Sequence, residues 1–168
     1  MYEDLRRLVL DGDLIAVRSK HSGWPGLIRW ATRSQYTHCA IALWLDEGLW
    51  VAEMDGAKNV LIPLSQYQLT PFDVFSCPVD RKQVRDDILV TLRGKISYDW
   101  LDIWRLAINI LFGVPLPTVD DSKLVCSSWA AYIWLRCGWK PAGRLPSIAT
   151  PAEVVAALGG EPICSNEP

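Results

Sequence analysis

The chain has 168 residues, half of them apolar and 21% charged, with a net charge of −2. It is long enough to bury a core and too apolar to remain disordered. No basic stripe stands out, which sets nucleic acid aside as a partner. Nine tryptophans suit a rigid core, a peptide- or sugar-binding groove or an interfacial surface, and core packing accounts for most of them.

In chain order, residues 14–17 form a short apolar strand after the turn signal Gly12-Asp13. Residues 24–32 suit a short helix after Pro25. Residues 38–45 and 49–54 flank Asp46-Glu47-Gly48 and read as a hairpin. Residues 59–62 and 72–77 are further strands, closed by Pro63 and Pro78. Val84, Ile88 and Leu92 predict a helix over Arg81–Arg93. Residues 100–112 are helical in period, with Asp102, Arg105 and Asn109 as a narrow polar stripe. Residues 124–137 predict another helix, stopped by Gly138. A last helix covers 151–158, started by a Thr150/Glu153 capping box with Pro151 at its first position. Strands first and helices later predict an α+β fold with an antiparallel sheet, as one domain over residues 1–168.

The five cysteines are odd in number and contain no Cys-x-x-Cys pair, so a disulfide framework and a zinc ribbon are poorly supported and free thiols are expected. The opening MYEDLRRLVLDGD lacks the apolar run of a secretory signal. The stretch 100–112 is too short and too polar to span a bilayer, so no transmembrane segment is expected.

Chemistry narrows to few residues. Of the two histidines, His21 lies among turn formers and reads as an exposed loop residue. His38 alternates with Ala40, Ala42 and Trp44, and the small residues on that face leave room for another element to approach. A histidine merely satisfied in a core is the competing reading. Cys39 falls on the opposite face and reads as core. Cys77 ends a strand, Cys137 closes a helix and Cys164 lies in a polar tail. Cys126 sits in the first turn of a helix, where free N–H groups and positive potential favour a thiolate and can hold an oxyanion. A third group to orient the imidazole comes from the next strand as Glu53 or Asp55. If Trp44 faces Leu49, both acids share the face of His38, and a one-residue slip would turn both away. Glu53 stands in an apolar run, where an acid needs a partner.

Four segments, GDLIAV (12–17), YTHCAIAL (36–43), WVAEMDG (50–56) and LVCSSWAAYIW (124–134), follow one another in an order that resembles the circularly permuted NlpC/P60 papain-like superfamily, including its YiiX-like and lecithin:retinol acyltransferase-like branch. SIATPAEVVAA (147–157) and Tyr98-Asp99 are also similar to that group. The resemblance implies a permuted papain-like half-barrel packed against helices. It implies Cys126 as nucleophile, His38 as base and Glu53 as the orienting group, with no metal or cofactor. The implied substrates are peptide or amide bonds of peptidoglycan, or lipid acyl groups acted on by a hydrolase, thioesterase or acyltransferase. A non-catalytic phage or secretion-system module is the alternative. Together with the missing signal, the resemblance implies cytoplasmic synthesis, delivery to the periplasm or cell wall by phage or secretion machinery, and a delivery partner or immunity protein. The apolar segment 99–121 departs from the pattern and reads as core, a lid or an interfacial face, with core preferred.

Overall fold

The computed structural model describes residues 2–18, 35–46, 48–55, 58–93, 126–146 and 149–168. His21, the helices expected over 24–32 and 100–112, and the segment 99–121 lie outside the described residues. The described fold is α+β. Strands β1 (Leu14–Arg18), β2 (Tyr36–Leu45), β3 (Gly48–Asp55), β4 (Lys58–Pro63), β5 (Phe72–Phe75) and β6 (Cys164–Asn166) form an antiparallel sheet in the order β4-β3-β2-β1-β5-β6. Helices α1 (Tyr2–Leu8), α2 (Arg81–Arg93), α3 (Cys126–Arg136) and α4 (Pro151–Leu158) flank it, and a 3-10 turn, Leu64–Tyr67, follows β4.

Besides the 3-10 turn, two elements were not expected from the sequence. Helix α1 forms because Leu5 and Val9, one turn apart, are both buried, and its acids and bases sit at the ends that suit the helix dipole. Strand β6 takes in Cys164, which is therefore not in a loose polar tail; it covers the edge of β5, pairing Val74 with Cys164 and Phe72 with Asn166. Strand β5 also ends at Phe75, two residues earlier than expected, and the Cys77 N–H donates to buried Asp13 instead of continuing the ladder.

Alternation along the strands divides the core into two layers. Cys39, Ile41, Leu43, Ala52 and Met54 pack with Val84 and Ile88 of α2, Trp129 and Ile133 of α3 and Val154 of α4. Ala40, Ala42, Leu49 and Val51 pack with Leu5, Val9 and Leu64 on the other face. This corrects one expectation. The small residues beside His38 make room for α1 and the 3-10 turn, whereas the cysteine helix packs on the face of Cys39.

Local signals end the helices where the sequence places them. At the end of α3, Gly138 has φ +90°, its N–H bonds Leu135 O, and the Trp139 N–H bonds Trp134 O at 2.8 Å. The rings of Trp134 and Trp139 meet edge to face at 5.3 Å, which supplies the apolar contact of that stop motif. The Thr150/Glu153 capping box at the start of α4 is complete. In Gly12-Asp13, the glycine has φ +84° and a Cβ there would lie 2.8 Å from Cys77 Sγ. Asp13 accepts from Leu10 N–H, Cys77 N–H and Arg81, tying β1 to the start of α2.

Candidate active site

His38 lies on β2 opposite Val17 of β1. The register then shifts, so that Arg18 faces Tyr36 and Thr37 is the extra residue of a bulge. The bulge turns Tyr36 to the helix side, where it meets Phe75 edge to face, and leaves His38 on the face of Ala40. Across the hairpin, Trp44 pairs with Leu49 and Ile41 with Ala52, the register that puts Glu53 on the face of His38. The Glu53 side chain is 9% exposed and that of His38 is 26% exposed. His38 Nε2 and Glu53 Oε2 are 2.9 Å apart. The Tyr67 hydroxyl donates to the same oxygen. An acid in an apolar strand thus has two partners, as its burial requires. Of Asp55, only the backbone is described.

Cys126 heads α3. The two serines after it are structural. Ser127 Oγ donates to Ala149 O at 2.5 Å, and the Ala149 N–H donates to Ser128 Oγ at 2.9 Å, which locks the first turn of α3 to the segment before α4. The Cys126 thiol hydrogen-bonds the His38 side chain and accepts from the backbone of Cys39 and Ser127. Because Nε2 of His38 is engaged by Glu53, Nδ1 is the nitrogen left for sulfur. The Cys39 N–H is available for a simple reason. Ala42 accepts from the Gly12 N–H and donates to the Asp13 carbonyl, just ahead of β1, so by alternation the N–H of Cys39 points the other way, towards β3. The β2–β3 pairing stops at Ile41–Ala52, short of Cys39. The thiol from the helix face and the imidazole from the other face meet where the two strands part.

The electrostatics follow from these contacts. Burial opposes charge on His38, yet the charge and hydrogen bond of Cys126, with those of Glu53, raise its pKa from 6.5 to about 10. Burial also pushes the Cys126 thiol up, but the charge and hydrogen bond of His38 and the two backbone N–H groups outweigh it, and the net direction is down. Glu53 is likewise lowered: burial raises it, and the bonds from His38 and Tyr67 more than offset that. Cys39, Cys77, Cys137 and Cys164 are all raised, in each case mainly by burial. One thiol of five is therefore shifted towards the thiolate, beside a histidine shifted towards the imidazolium. That arrangement is competent for nucleophilic attack on a carbonyl.

No protein-family model and no curated protein matches the chain. The site has to be read from its own geometry.

The structure brings together Cys126, His38 and Glu53, each proposed from the sequence. Sequence reasoning missed two contributors, Tyr67 and the N–H of Cys39. The apolar run around Glu53 signals that a donor must exist, but nothing in Leu64–Tyr67 marks Tyr67 as that donor. That the N–H of Cys39 serves Cys126 and not β3 depends on where two strands separate, which leaves no local trace. Among the described residues, no group of three or more His, Cys, Asp or Glu side chains is placed to hold a metal. No helix among them is long and apolar enough to cross a membrane.

Proposed function

We propose that this chain is a cysteine hydrolase of the amidase or endopeptidase type, built as a permuted papain-like domain of the NlpC/P60 kind. The observation that carries the reading is the contrast among the thiols: Cys126 alone of the five is lowered, and it lies against a histidine held by a buried glutamate. The antiparallel sheet with a late cysteine helix, and the order of histidine strand, acid strand and cysteine helix, also support it.

In this mechanism the Cys126 thiolate attacks the carbonyl carbon of an amide. N–H groups near the start of α3 stabilise the oxyanion that forms. His38, already protonated, gives its proton to the departing amine as the C–N bond breaks. Neutral His38 then takes a proton from water, which attacks the thioester and releases the acid and the thiolate. Glu53 stays ionised and holds the ring throughout. Peptide bonds of peptidoglycan are the proposed substrate, with delivery to the cell wall by a partner machinery.

The test is a digest of purified peptidoglycan resolved by mass, run beside short-chain acyl esters, with wild type and Cys126→Ala. New amine and carboxyl termini that disappear in Cys126→Ala support the proposal. Ester turnover alone moves the same site to lipid acyl substrates. Equal cleavage by wild type and Cys126→Ala contradicts it.

A further inference from the structure

Glu53 Oε2 serves two donors, and only one of them, His38, belongs to the hydrolytic scheme. The other, Tyr67, ends the 3-10 turn between β4 and β5. That turn is fixed from both sides. Leu64 at its start is fully buried in the layer with Val51 and Phe72. At its end, the amide of Asn166, 2% exposed in β6, donates to the carbonyls of Tyr67, Gln68 and Thr70 at 3.4, 3.1 and 2.9 Å. Asn166 lies nearly one hundred residues away in sequence from the turn it clamps, and its side chain has no other donor bonds to make.

We infer that Tyr67 is a positioning residue of the same site: its hydroxyl holds the Glu53 carboxylate against His38, and Asn166 anchors the turn that carries it. The inference rests on the hydrolase reading for its purpose, but not for its test. Two bonds to one oxygen fix the carboxylate's rotation, and a donor to a carboxylate favours its charged form. The titratable groups that face Glu53 among the described residues are His38 from β2 and Tyr67 from the 3-10 turn, with Cys126 of α3 beyond His38; its partner on β4 is Val60. Tyr67 reaches the site through its hydroxyl bond to Glu53, and that bond is what carries its effect to His38.

The experiment is a carboxyl-carbon NMR titration of protein labelled at glutamate, with Glu53→Gln to assign the Glu53 signal. In Tyr67→Phe the midpoint of Glu53 rises by about one unit, the loss expected for one hydrogen bond to a charged group. In Asn166→Ala, which keeps the hydroxyl but loosens the turn, it rises by less. An unmoved midpoint in Tyr67→Phe overturns the positioning role, and an unmoved midpoint in Asn166→Ala overturns the anchor. The titration needs no substrate, so it reads the same whether or not the hydrolase proposal stands. If wild type cleaves its substrate and the Tyr67→Phe midpoint is unmoved, this inference alone falls.

Discussion

Replacing Glu53 by glutamine removes a charge while keeping a shape. Both donors to Glu53, His38 Nε2 and the Tyr67 hydroxyl, use one oxygen, Oε2. A glutamine carbonyl at that place accepts both bonds, and its amide nitrogen replaces Oε1. What is lost is the negative charge beside a protonated ring. A hydrogen bond to a charged group contributes about 1.5–3 kcal/mol, and one pKa unit is about 1.4 kcal/mol, so the His38 pKa should fall by about 1–2 units. In wild type that value is raised to about 10. If the same energy is lost in the transition state, kcat/KM falls by about 10- to 100-fold. Two measurements read this. One is the alkaline limb of kcat/KM against pH, which moves down in Glu53→Gln. The other is the imidazole NMR titration, in which only His21 and His38 contribute. Glu53→Ala should be worse, because it removes the shared acceptor of both part-buried donors as well as the charge. An alkaline limb and a His38 midpoint identical in wild type and Glu53→Gln would refute the coupling.

Stability should depend on pH through His38. Its folded pKa of about 10 lies above the ordinary 6.5, so its contribution is complete below pH 6.5 and is lost as pH rises through 10. The lowered Cys126 thiol contributes in the opposite sense up to its ordinary value of 9.0, so the two offset below that pH. The Tm of wild type should therefore fall as pH rises from 9 through 10, as scanning calorimetry will show; a Tm that stays flat across that step would contradict it. Thr150→Ala removes the side chain that receives the Glu153 N–H at 3.2 Å and should cost about 1 kcal/mol in urea unfolding, with no change in the reactivity of Cys126.

Much of the fold is legible where local chemistry dictates it. The hairpin signal predicts the β2–β3 register, which is seen in the pairing of Leu45 with Gly48 and Trp44 with Leu49, and that register puts Glu53 beside His38. Gly138 and the Thr150/Glu153 box end and start helices through bonds made within a few residues. The rest depends on long-range partners. Cys164, Ser165 and Asn166 carry little strand signal, and they become β6 only because β5 offers an edge. Ala40 and Ala42 announce a close approach without saying by what, and α1 rather than the cysteine helix fills that place. The bulge at Thr37 and the parting of β2 from β3 are needed to bring thiol and imidazole together, yet neither has a sequence signature. Tyr67 reaches the site by the packing of Leu64 and the clamp of Asn166, which no motif around Tyr67 encodes.

The central claim is that Cys126 is a thiolate activated by His38. The direct measurement is the rate of iodoacetamide labelling at each cysteine against pH, resolved by peptide mass, in wild type and His38→Ala. Cys126 should react fastest and keep reacting well below the ordinary thiol range, while Cys164, raised by burial, lags behind. In His38→Ala the advantage of Cys126 should vanish. Labelling of Cys126 no faster than Cys164 near neutral pH, or unchanged by loss of His38, would contradict the account.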